Sequence, residues 1–232
     1  MHMDYRQDAK KKPVESLMRN YQRVILAIIE VMFGCGLAAC STYGLADQLE
    51  SPGKTQGAAS GFNLINTIFV TQTTFSGNLG GVAGADNFCL NDAANPMGSG
   101  NGVWKALISV AGVRVACSTS DCSGSGAAEH LDWVLEANTQ YQRPNGTVIG
   151  NTNTNGLFIG LLTNTVSTAP GNAFTGLTQN WTVAGTHCIS WTSNNMVDQG
   201  QSGQTDQSGV IWFSNTALSC DVPSKVLYCV QQ

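Results

Sequence analysis

The sequence predicts an α+β domain of short strands with one or two helices, carried behind an export segment. Three observations lead there. Gly, Thr, Ser and Asn make up more than a third of the 232 residues and only 11% are charged, whereas a helical bundle or coiled coil would be rich in Ala, Glu, Lys and Leu. Hydrophobic residues still reach 42%, enough for a packed body rather than a disordered chain, and they fall in short pieces separated by turn chemistry. Finally, the cysteines that follow Cys40 are even in number, as expected of a disulfide-bonded domain outside the cytosol.

Residues 24–39, VILAIIEVMFGCGLAA, form an apolar run behind Arg19 and Arg23, interrupted only by Glu30. A basic start, a short apolar stretch and small residues before the cut describe a secretory signal over residues 1–39. The run is shorter than the roughly 20 residues that span a bilayer. Its ending, Leu37-Ala38-Ala39-Cys40, resembles a bacterial lipobox, which would make Cys40 the lipidated first residue of the mature chain. Met18 offers an alternative start, leaving MRNYQR as a compact basic segment. Residues 40–61 are polar and aperiodic and read as a flexible tether. The domain proper is expected over residues 62–232. Cleavage before Cys40 leaves five basic and eleven acidic residues, a formal charge of −6. No basic stripe remains, so nucleic acid and heparin-like polymers are excluded as partners.

The elements follow in order. Residues 64–71, LINTIFVT, read as a strand. The Gly-rich stretch SGNLGGVAGA reads as a turn, followed by a helix from Asp86 that ends near Asn95-Pro96 with Phe88 and Cys89 facing inward. Trp104 to Val110 is a strand or a short helix, and Gly112 to Glu129 a small polar loop. Pro144-Asn145-Gly146 is hairpin chemistry between two short strands. Leu157 to Leu162 and Phe174 to Leu177 are short apolar pieces, Asn194 to Ser208 a polar loop, and Val210 to Phe213 and Val226 to Val230 close the domain.

Six cysteines remain after Cys35 and Cys40: Cys89, Cys117, Cys122, Cys188, Cys220 and Cys229. They read as three disulfides, and spacing alone leaves the pairing open. Cys117 and Cys122 stand close enough to close a local loop. Structural zinc is a poor rival, since no Cys-x-x-Cys occurs.

The motifs taken together resemble a known family. Ser76-Gly77-Asn78-Leu79-Gly80-Gly81, Gly84-Ala85-Asp86-Asn87-Phe88-Cys89, Trp104-Lys105-Ala106, Asp132-Trp133, Tyr141 to Thr147, Asn155 to Phe158, Phe174 to Leu177, Cys188 to Ser193 and Leu227-Tyr228-Cys229 follow one another. In that order they resemble the endostatin-like domain, and in particular a bacterial family of exported proteins and lipoproteins whose domain has no known function. The resemblance runs over residues 65–232. It implies a C-type-lectin-like fold and nested disulfides, Cys89 with Cys229 and Cys188 with Cys220, leaving Cys117 with Cys122.

Site chemistry is sparse. Calcium needs six to eight oxygen ligands, yet Trp212-Phe213-Ser214-Asn215 lacks the aspartate of a lectin calcium motif, and Asn151 to Gly156 carries only neutral side chains and reads as an Asn-rich turn. His130 and His187 are too few for a zinc centre, and the pairing of His130 with Asp132 lacks a nucleophile elbow. No metal or cofactor is expected. Most of the five tryptophans should be core, with Trp104 and Trp191 assigned there and Trp181 the best exposed candidate. Asp198, Gln201, Gln204 and Asp206, in the loop Asn194 to Ser208, complete the expected ligand-binding patch. The expected function is a non-enzymatic, lipid-anchored envelope protein, placed in the outer membrane of a Gram-negative bacterium, that displays a module for a glycan or protein ligand. The alternatives are a structural envelope lipoprotein without an external ligand, and an enzyme on a lectin-like scaffold.

Overall fold

A computed structural model describes residues 64–232. The signal segment 1–39, Cys40 and the tether 40–61 lie outside the described residues. The described chain is a small mixed α+β domain with few helices, two β-sheets and three disulfides.

Strand β1 (Ile65–Val70) joins distant parts of the chain. Its first half pairs in parallel with β3 (Gln140–Gln142) and its second half antiparallel with β9 (Tyr228–Gln231). β9 also pairs with β2 (Trp104–Ala106), and β3 turns back into β4 (Val148–Asn151), which gives a five-stranded sheet in the order β2-β9-β1-β3-β4. The β3–β4 connection is the hairpin expected at Pro144-Asn145-Gly146. There Gly146 takes φ 84°, a left-handed value that glycine adopts without strain, and Asn145 Oδ1 accepts a hydrogen bond from Thr147 N.

Helix α1 (Gly81–Asn91) starts earlier and stops sooner than the sequence suggests. Its first turn lies inside the Gly-rich stretch, where a Cβ on Gly84 would sit 2.0 Å from Leu79 O, so this sharp entry requires glycine. It ends where Asp92 turns to extended backbone, and the Asp92 carboxylate then accepts from the N–H groups of Gln72, Thr73 and Ala94. Burial opposes charge on Asp92, but these donors outweigh it and hold the carboxyl below its usual range. Inward-facing Phe88 stacks on Phe75, and Cys89 joins Cys229 of β9.

The second sheet has the order β7-β6-β5-β8, built from β5 (Asn172–Phe174), β6 (Gln199–Gln204), β7 (Thr216–Ser219) and β8 (Lys225–Val226). The stretch expected to be a polar loop therefore contains a central strand. Its sequence, QGQSGQ, has no β-branched or aromatic residue and carries no strand signal of its own. Glycine is nonetheless demanded there, because a Cβ on Gly203 would lie 1.9 Å from Trp212 O and one on Gly200 2.8 Å from Cys188 Sγ.

The core has two parts. One is aromatic, with Trp133, Trp181, Trp212, Phe213, Phe158, Tyr141 and Tyr228 buried together. The other packs Phe69, Trp104, Phe174 and Trp191 around the disulfides Cys89–Cys229 and Cys188–Cys220. The third disulfide, Cys117–Cys122, closes a local loop beside the aromatic part. These are the three pairs that the family resemblance implies.

Candidate functional site

The backbone is most unusual at Cys188-Ile189-Ser190-Trp191. These four consecutive residues, none of them glycine, take φ values of 46°, 50°, 56° and 62°, a single left-handed helical turn. Left-handed helix costs an L-residue roughly 1–2 kcal/mol, so the surroundings must impose it. Trp191 is fully buried, its Nε1 donates to Ser109 O at 3.2 Å, and its ring lies 5.2 Å from that of Phe174. Cys188 is tied to Cys220, and Gly77 gives that disulfide room, since a Cβ there would lie 2.3 Å from Cys188 Sγ. His187 Nδ1 accepts from Ser190 N at 2.9 Å. In the neutral ring the proton then sits on Nε2, which leaves a donor.

Anchoring both ends of the turn turns its middle outward. Ile189 is 61% exposed, and Met196 and Val197 are 72% and 77% exposed. Ile189 and Val197 border an open cleft of about 380 Å³ that His187, Ser190, Asp198 and Gln199 complete. Asp198 Oδ2 accepts from Ser193 Oγ at 2.5 Å, and its backbone carbonyl accepts from Cys220 N, which fixes the carboxylate on the rim. The cleft thus offers apolar surface flanked by an imidazole, a carboxylate, a hydroxyl and an amide, a composition suited to binding.

The patch expected from the sequence does not form one surface. Asp198 alone of its members lines the cleft. Gln201 and Gln204 lie along β6, Gln201 reaching Ser214 Oγ, and Asp206 stands in the turn beyond it. A six-residue strand spans about 20 Å, so Asp198 and Asp206 occupy opposite ends. Trp181 is not exposed. It is 2% accessible and stacks on Phe213 with ring centroids 4.0 Å apart. Trp181 itself takes φ 59°, and the turn closed by its N–H on Thr178 O swings the ring inward onto Phe213 although its neighbours in sequence are polar.

The two histidines also part company. His130 lies between Ala116 O and Asn155 O, while Asp132 belongs to an ion cluster. Arg114, 1% exposed, grips both Asp86 oxygens at 2.8 Å and Asp132 Oδ2 at 2.6 Å, and Lys105 joins Asp132. Its remaining donors meet Ala106 O and Asp132 O, so the guanidinium is saturated. Burial opposes the charge on Asp132, but the Lys105 and Arg114 partners hold its carboxyl below the usual range. The arrangement ties α1, β2 and the Asp132 segment together through Arg114. The sequence did carry a signal for it, because Arg114 interrupts the apolar run Val113 to Ala116. In the Asn-rich turn, Asn153 Oδ1 is spent on the N–H groups of Asn155 and Leu157.

No curated protein matches the chain. A family model does, over residues 72–208, a region that includes α1, the hairpin, the left-handed turn and all of β6 but ends before Cys220 and Cys229. That region exceeds half of the chain, and the protein belongs to the family described as Protein of unknown function (DUF1554).

Proposed function

We propose that this protein is an exported, lipid-anchored envelope protein whose endostatin-like, C-type-lectin-like domain binds an external glycan or protein through the cleft beside the left-handed turn. One observation carries the binding reading. The fold uses a strained turn, a buried tryptophan and a disulfide to hold Ile189 outward on the cleft that exposed Val197 also borders. Backbone strain gathers where function needs a fixed shape, and contiguous exposed apolar side chains mark interaction surfaces. The anchor rests on Leu37-Ala38-Ala39-Cys40, and the fold name on the ordered motifs together with a disulfide from the first described helix to the last strand.

Two measurements test the proposal. A fatty-acid analogue fed to cells should label the wild type but not Cys40→Ala, and an unlabelled, soluble wild type would remove the anchor. Glycan and matrix-protein arrays probed with the full-length protein in detergent should give a ligand whose binding falls about tenfold or more in Ile189→Asp. That binding should survive EDTA and change little between low and physiological salt, because no basic stripe displaces counterions. Arrays without any ligand, or a ligand indifferent to Ile189→Asp and Val197→Asp, would sink the cleft.

A further inference from the structure

We infer that a second cleft, built around Arg143 and separate from the one above, is a binding site for a sugar acid, with the guanidinium receiving the carboxylate. The cleft holds about 320 Å³ and is bordered by Phe69 and Val70 at the end of β1, Arg143 and Asn145 in the hairpin turn, and Val166 and Ser167. That volume is at the small end of ligand pockets and suits one monosaccharide unit.

Arg143 differs from the other cations. Among the described residues, Lys105 and Arg114 are paired with Asp132 and Asp86, and the buried Lys225 amine donates to Ser219 O and Val222 O. Arg143 has no carboxylate within ion-pair distance among the described residues. Its guanidinium is fixed on Thr165, Nε donating to Thr165 O at 2.7 Å and Nη2 to both Thr165 O and Thr165 Oγ1, the latter at 2.6 Å. Thr165 Oγ1 in turn donates to Ser167 O, so the loop that holds the guanidinium is itself held. Nη1 has no protein partner among the described residues. A guanidinium oriented by its scaffold, with the N–H donors of Nη1 to spare, is preorganised for an anion.

The neighbours select the ligand. Asn145 Oδ1 is occupied by Thr147 N, which leaves its amide as a donor, and Ser167 Oγ accepts from Ala169 N, which leaves its hydroxyl proton to donate. Three donors therefore border the cleft in a domain that is otherwise acidic. A single cation matches a monoanion better than a phosphate or sulfate dianion. The apolar part, Val70 and Val166 with Phe69, is too small for an acyl chain, whereas a sugar ring presents one small C–H face and several hydroxyls.

The test is calorimetric titration of the full-length protein in detergent with glucuronate, glucose, the methyl ester of glucuronate, and an acetylated dipeptide with a free C-terminus. Glucuronate should bind, and removal of its charge, as in glucose or the ester, should cost about tenfold or more. Arg143→Gln should lose the same factor. Because Arg143 also steadies the Thr165 loop, Asn145→Ala and Ser167→Ala serve as variants that touch only the border, and each should weaken glucuronate while the melting temperature stays put. Equal binding of glucose, no binding of glucuronate, stronger binding of the dipeptide, or border variants that leave glucuronate unaffected would each overturn the proposal. None of these results bears on the Ile189 cleft.

Discussion

In one part of the core Trp181, Trp212 and Phe213 meet ring against ring, with centroid distances of 4.0–5.9 Å. In the other, Cys89–Cys229 and Cys188–Cys220 run between Phe69, Trp104 and Trp191. The aromatic part gains its stability from buried area and from edge-to-face contacts, and Tyr228 adds a hydroxyl bonded to Trp212 O at 2.7 Å. The disulfide part has a harder task. It brings together segments separated by 140 residues in one case, and it holds the left-handed turn in the other. Area alone does not compensate a strained turn at the surface, whereas a cross-link removes unfolded conformations wherever it lies. The two parts are therefore expected to fail differently.

The largest difference should come from the cross-links themselves. Replacing both Cys89 and Cys229 by Ala should lower stability to urea by about 4–5 kcal/mol, and replacing Cys117 and Cys122 by about 2 kcal/mol, because closure entropy grows with loop length. Equal losses from the two pairs would erase the distinction between the parts.

Next comes the aromatic part, where Trp212→Ala should cost about 3–4 kcal/mol through the cavity it leaves. Gly203→Ala should be harmful for the opposite reason, since its Cβ would overlap Trp212 O. If both variants melted like the wild type, the strand that crosses beneath Trp212 would be misplaced.

The smallest expected effect sharpens the disulfide part. Asp92 caps the chain after α1, and its carboxyl is held below the usual range, so its contribution is present above the unfolded carboxylate value of about 4 and is lost as pH falls through the lower folded value. Asp92→Asn should cost about 1–2 kcal/mol at neutral pH, and the gap to wild type should close in acid unfolding curves. A gap that stayed constant with pH would contradict the charged cap.

Elements with strong local signals were legible in the chain itself. β1 announces itself by β-branched and aromatic residues, the β3–β4 hairpin by Pro144-Asn145-Gly146, and the cross-linked nature of the domain by its even set of cysteines. The remaining features depend on contacts between segments far apart in the chain. β6 is a strand because β5 and β7 supply its partners and because Gly200 and Gly203 admit neighbouring atoms, conditions set by residues far along the chain. Trp181 is buried because its backbone turns left-handed beneath Phe213, and polar neighbours in sequence say nothing of that. The turn at Cys188 to Trp191 lies furthest from local reading. No residue there favours positive φ, and the conformation exists because a disulfide, the Trp191 pocket and the His187 cap together outweigh a penalty that an isolated segment would avoid by adopting another shape.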